Sequence, residues 1–216
     1  MENRILAALD RMVVMSPKKS FEKVVRIYCE GDTEKKYLVT MFTDRYKGLR
    51  AQFKPKIKGS IEHILEGFLQ ELYEPETKAL KGLFLVLDMD TLYTQSKISI
   101  YKQMKKKLEA IGDSSFSIIE SRPCIEYWFL LHFVFQDKLF VNCDSVLKEL
   151  KKKDRLPDYD KHGKYTKDLY EKLKKDIDVA IKNSIKVLEK PRQADEQHSY
   201  TYMHEMITTL DDIYKS

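Results

Sequence analysis

Two apolar runs end abruptly in acids, and that pairing narrows the folds open to this chain more than any other feature. The first contains Val24, Val25, Ile27 and Tyr28, stops at Glu30-Gly31-Asp32, and continues into a polar helix entry at Thr33-Glu34. The second, Gly82 to Leu87, ends in Asp88-Met89-Asp90. Strand, acidic turn, helix is a ligand-site layout for an α/β sheet, whose ligands gather at the carboxyl ends of the strands. Two buried strands that both end in carboxylates need a counter-charge, and a divalent metal supplies one.

The rest of the chain fits such a sheet. Residues 3–15 pattern as an amphipathic helix, and 16–20 as a polar linker into a strand over 22–29. Thr33 is placed to cap a helix over 34–46, with Tyr37, Leu38, Met41 and Phe42 at helical spacing. Residues 52–58 alternate Phe53, Pro55 and Ile57 with Lys54, Lys56 and Lys58, the marks of an edge strand. Ser60 caps a helix reaching Tyr73, whose stripe is Ile61, Ile64, Leu65, Phe68, Leu69 and Leu72. Gly82–Leu87 is apolar throughout, as a strand covered on both faces should be. A helix near 97–110 and a strand over 116–119 follow. The expectation is an α/β fold with a four-stranded parallel sheet flanked by helices, its connections long enough for right-handed crossovers. No strand is expected beyond Arg122. An all-round apolar helix over 123–135 and helices near 144–153, 166–189 and 200–214 form an α-helical C-terminal part. The divisions are thus 1–20, 21–121 and 122–216.

Composition enters through charge and cysteine. The net charge is +5, and residues 145–190 hold 14 Lys/Arg against 9 Asp/Glu, so the whole excess lies in that stretch. Such a region suits a polyanion; a solvated helix face accounts for it equally simply, and on charge alone is the preferred account. Cys29, Cys124 and Cys143 are odd in number and lack CxxC spacing, which implies neither a disulfide framework nor a zinc site. A reduced, cytoplasmic setting is the expectation, and no apolar run is long enough to span a membrane.

Asp88 and Asp90 stand at i and i+2, so on an extended backbone both point to the same side. Oxygen-only ligands suit Mg²⁺ or Mn²⁺. The alternative is that one aspartate caps the next helix and the other is solvated; Glu30 and Glu34 at a second strand end weigh toward the metal. Glu126 opens a helix otherwise built from Ile125, Trp128, Phe129, Leu130, Leu131 and Phe133. A carboxylate there costs several kcal/mol unless paired, protonated or metal-bound. A metal and a buried ion pair with Arg122 or a lysine are equal readings. His132 on the same helix reads as a core histidine. There is no GxxxxGK[ST] phosphate loop and no GxGxxG after the first strand. Glu149-x-Lys151 resembles the tail of another nuclease signature, in a region too lysine-rich for that to weigh.

A strand ending Glu30-Gly31, then Thr33-Glu34, then a strand ending Asp88-Met89-Asp90 resembles a Toprim domain, the metal-binding fold of topoisomerases, DnaG-type primases and OLD-family nucleases. The block Ser121-Arg122-Pro123-Cys124-Ile125-Glu126-Tyr127-Trp128 through His132-Phe133 is similar to the S-x-P-x-x-E-x-W-x-x-x-H-F block of RloB-like proteins. Tyr159-Asp160-Lys161 matches their downstream Tyr-x-Lys. The chain departs from the family at Gly31-Asp32, where a lysine is common, and at His198-Ser199-Tyr200-Thr201, where an Asn-Pro-Ser/Thr-Thr block is usual. The resemblance implies an Mg²⁺ (or Mn²⁺) dependent nuclease in bacterial restriction or antiphage loci. The other function weighed is a non-hydrolytic nucleic-acid-binding or regulatory subunit of an ATPase complex. On the nuclease reading Asp88 and Asp90 hold the metal, and Glu30 ligates it or acts as general acid/base. Glu34 and Glu126 complete a second position about 4 Å away if two ions act. Lys161 contacts the phosphate, and Lys161 and Lys164 bind nucleic acid. Expected partners are nucleic acid, an ATPase encoded nearby and further copies of the chain in a homo-oligomer; no membrane is expected.

Overall fold

The computed structural model describes residues 23–55, 60–111, 116–161, 168–191 and 197–216. The expected helix over 3–15, its linker and the end of the 52–58 strand lie outside these residues. Strand β1 (Val24–Cys29) leads into α1 (Asp32–Arg45), β2 (Arg50–Lys54) and α2 (Ile61–Tyr73). After a 3₁₀ turn over Pro75–Ala79 come β3 (Gly82–Asp88), α3 (Met89–Thr94), α4 (Ile98–Ile111) and β4 (Phe116–Arg122). The C-terminal part holds α5 (Glu126–Leu131), α6 (Cys143–Leu150), α7 (Leu169–Leu173), α8 (Ile177–Glu189), β5 (Tyr200–Thr201) and α9 (Met203–Lys215).

The strands form one sheet in the order β2-β1-β3-β4-β5. The first four are parallel, as the apolar runs and crossover lengths predict, and β2 is an edge strand. All seven residues of β3 are buried. Alternation sends Phe84 and Val86 into one core with Val25, Ile27, Trp128 and Leu210, and Leu83, Leu85 and Leu87 into another with Phe68 and Met104. The first core joins residues from both sides of position 121.

Three expectations need correcting. A fifth strand exists: β5 pairs antiparallel with β4, Ser121 opposite Thr201 and Arg122 opposite Tyr200. Two residues carry no periodicity, and side chains hold them in place. Ser121 Oγ and Thr201 Oγ1 lie 2.8 Å apart. The Tyr200 hydroxyl donates to the buried Glu120 carboxylate at 2.7 Å, which also accepts from Lys105 Nζ at 2.7 Å and from Tyr101. The helix expected over 123–135 shortens to α5, because the apolar residues around it fill a core from irregular backbone too. Finally, α1 starts at Asp32 with Gly31 as its cap residue, so Thr33 lies inside the first turn. The Ser60 cap on α2 is as expected, its Oγ accepting from His63 N at 3.4 Å.

Candidate active site

The register brings the acidic ends together. Cys29 pairs with Val86, and Asp88 with Ser121, so the turn after β1 lies beside the last residues of β3. Glu30, Gly31, Asp32, Thr33, Glu34, Asp88, Thr91 and Lys161 line a cavity of about 170 Å³. Asp88 ends its strand with Oδ1 accepting from Ile125 N at 2.8 Å, which ties the β3 end to the start of α5. Asp90 departs from the extended i, i+2 geometry: it lies in the first turn of α3, its N–H bonded to Pro123 O at 2.9 Å. Its carboxylate lies within 4.8 Å of the Cys143 sulfur at the start of α6. The two aspartates therefore approach the centre from different backbone directions, because the chain turns helical at Met89.

Glu126 is fully buried. Of the two readings open for it, the ion pair with a lysine is present: Lys161 Nζ lies 3.4 Å from Oε1, which also accepts from Tyr159 at 2.9 Å. Arg122 turns away to Gln197. Lys161 is 34% exposed at its side chain and also lines the cavity. Lys164 lies outside the described residues.

The balance of charge is lopsided. Glu30, Glu34, Asp88, Asp90 and Glu126 gather around Lys161. Burial, then Glu126 and Glu30, raise the Glu34 carboxyl to about 7. Burial, then Glu34 and Glu126, hold Asp88 well above the ordinary carboxylate value, and burial raises Asp90. Burial alone would lower Lys161, but Glu126, Asp88, Glu34 and Asp90 outweigh it and keep the ammonium above its usual value. Glu34 Oε2 is buried with no hydrogen-bond partner. A buried acid left this way needs a proton or a cation. The donor set is oxygen, which fits Mg²⁺ or Mn²⁺.

Gly31 is part of this arrangement. A Cβ there would lie 1.9 Å from Glu34 Oε2, while the backbone, at φ −89°, accepts any residue. Gly31→Ala should therefore keep the fold and displace the carboxylate. We expect an unchanged circular dichroism spectrum and a Mn²⁺ affinity lowered by roughly 10-fold, read from thermal shift against Mn²⁺ concentration.

A family model described as RloB-like protein matches residues 25–210. The chain belongs to the RloB-like protein family. No curated protein and no solved structure matches it. The RloB-like match begins in β1 and ends in α9, so it contains each acid of the cavity and both Tyr159 and Lys161. The residues of the RloB-like Ser121–Phe133 block divide by role: Glu126 faces the acids, while Trp128 donates to Tyr37 at 3.0 Å in the core. His132 is the core residue expected, its Nδ1 3.0 Å from Trp128 O, and burial lowers its pKa to about 4.

Some site residues escaped the sequence reading. Tyr159 appeared only as part of a motif, and its hydrogen bond to Glu126 depends on a fold that returns 33 positions later. Cys124 and Cys143 form a disulfide, contrary to expectation, with Cys29 buried and free. Spacing rules look for local cysteine pairs, and these two are 19 apart in sequence. The one available signal was the place of Cys124, two residues before Glu126. Part of the basic stretch is paired: Lys152 and Arg155 with Glu149, Lys174 with Asp44 and Glu171, Lys190 with Asp137. Among the described residues no helix is long and apolar enough to cross a membrane.

Proposed function

We propose that the chain is an Mg²⁺- or Mn²⁺-dependent nuclease of Toprim type, hydrolysing phosphodiester bonds of DNA or RNA in antiphage or restriction-type defence. The observation that carries the reading is the convergence of Glu30, Glu34 and Asp88 on one cavity with Glu126 and Asp90 close behind, and one buried carboxylate oxygen left unsatisfied. Asp88, Glu34 and Glu30 would hold the ion, with Asp90 and Glu126 as further carboxylates. When bound, the ion would draw off negative charge at the scissile phosphate. Glu30, at the cavity wall, is the candidate for ligation or for moving a proton to or from an attacking water. Tyr159 orients Glu126, and Lys161 offers a positive charge to a phosphate oxygen. The sequence holds no phosphate loop, so any ATP use would fall to a separate ATPase partner.

The test is cleavage of plasmid, single-stranded DNA and structured RNA with Mg²⁺, Mn²⁺ or EDTA. Glu30→Gln and Asp88→Asn are each expected to lower metal-dependent cleavage by about 100-fold or more. Binding without cleavage of all three substrates, with the ATPase supplied, would replace the nuclease reading by that of a binding subunit.

A further inference from the structure

We propose that Cys124, Cys143 and Asp90, once the disulfide is reduced, form a site for a thiophilic divalent cation of the zinc class. Asp90, Cys124 and Cys143 each offer a ligand atom, all within 4.8 Å of one another. Cys124 belongs to a second group of the same span with Asp88 and Glu126. The sulfur pair therefore sits against the oxygen ligands, and Cys143 Sγ lies 3.2 Å from Glu126 Oε2. Tetrahedral zinc, with Zn–S of about 2.3 Å and Zn–O of about 2.0–2.2 Å, spaces its donors about 3.3–3.8 Å apart. The sulfurs, bonded to each other in the disulfide, have to separate, and the carboxylate to close by up to about 1 Å.

The backbone keeps these positions together without the disulfide. Cys143 opens α6, which Asn142 caps with Ser145, and its sulfur lies within 4.8 Å of the Asp90 carboxylate. Asp90 N–H in turn donates to Pro123 O, next to Cys124, while Ile125 N holds Asp88 on the other side. Cys124 is fully buried, so its sulfur is shielded from bulk water.

The redox step balances with an external donor. A phosphine attacks one sulfur, the S–S bond breaks, and water supplies the oxygen of the phosphine oxide and the two thiol protons. The donor loses the two electrons that the sulfurs gain. Zinc then displaces one proton from each thiol, and its own oxidation state is unchanged. This site stands whether or not the chain cleaves nucleic acid; on the nuclease reading it competes with Mg²⁺ for the neighbouring acids.

The experiment reduces the full chain with a phosphine, removes the reagent anaerobically, and titrates with Co²⁺. Reduced wild type should show a near-ultraviolet thiolate-to-cobalt band saturating at one ion per chain and abolished by Zn²⁺. The oxidised protein should show none, which compares two states of one sequence and needs no variant to fold. Cys29→Ser should keep the band, Cys143→Ser should lose it or weaken Co²⁺ binding at least about 10-fold, and Asp90→Asn should weaken it similarly. No band in the reduced protein, or an unchanged one in Cys143→Ser, overturns the site.

Discussion

In the metal-free protein at pH 8, Glu34→Gln is expected to melt about 6–12 °C above wild type, taking about 2–4 °C per kcal/mol for a chain of this size. The carboxyl is 4% exposed and its pKa rises to about 7, above the ordinary glutamate value. The folded protein thus binds this proton more tightly than the unfolded chain does. Its contribution to stability is whole below the ordinary glutamate range and is lost as pH climbs through about 7. At about 1.4 kcal/mol per pKa unit, the loss is on the order of 3 kcal/mol. Gln cannot ionise, so the variant keeps what wild type loses. The gap should close toward pH 4.5 and reappear at pH 8, in melts run with EDTA.

Asp88→Asn should move the same way, because Asn Oδ1 retains the bond from Ile125 N while the charge facing Glu34 and Glu126 goes. Mn²⁺ should then stabilise wild type more than either variant, as a ligand bound only by the folded state must. A gap equal at pH 5 and pH 8 would mean that buried charge is not its origin.

Trp128→Ala is expected to cost about 3–5 kcal/mol, the range for deleting a large buried aromatic side chain. Trp128 is the chain's one tryptophan and is fully buried. It packs edge-on against His132 at 4.8 Å between ring centres, and its Nε1 bonds the Tyr37 hydroxyl at 3.0 Å. Tyr37 packs on Phe129 and Tyr170, so the hole would open where α1, α5 and α7 meet. Tyr37 stands one helical turn beyond Thr33 and Glu34, so its loss of anchorage reaches the cavity wall. Urea unfolding followed by far-ultraviolet circular dichroism measures the cost, since the variant has no tryptophan to report. Trp128→Phe should lose less, keeping most of the ring volume while giving up the hydrogen bond. A near-neutral Ala variant would show that the space is refilled by neighbours.

The parts of the site legible in the sequence are those where an apolar run and an acid are adjacent. Glu30 and Asp88 were readable because a parallel strand leaves its last residue at the ligand edge. Lys161 came through a motif, with no local pattern to mark it. Asp90 was placed in the cluster but on the wrong backbone, since the switch from strand to helix after Asp88 leaves no trace in hydropathy. The fold was legible where periodicity runs long, as in α2 and β3. β5 was not, because its two residues are held by Ser121, Glu120 and Ser184 rather than by their own pattern; Ser184 Oγ donates to Thr201 O at 2.8 Å. The disulfide was hidden for the same reason, its two halves meeting only in three dimensions.

The long closures carry a consequence for the order in which the molecule acquires competence. Thr33 Oγ1 donates to Lys161 O across 128 positions, and Lys23 Nζ donates to Ile213 O across 190. Contacts so distant along the chain form late, since their loop entropy is spent before they return anything. A nascent chain still short of residue 161 would hold its acids at the sheet edge without their lysine, and one short of α9 would leave a face of the sheet uncovered. Ribosomal synthesis therefore acts as a timer: the centre assembles only after Lys161 has emerged, and a product truncated before it would carry the acids without their lysine.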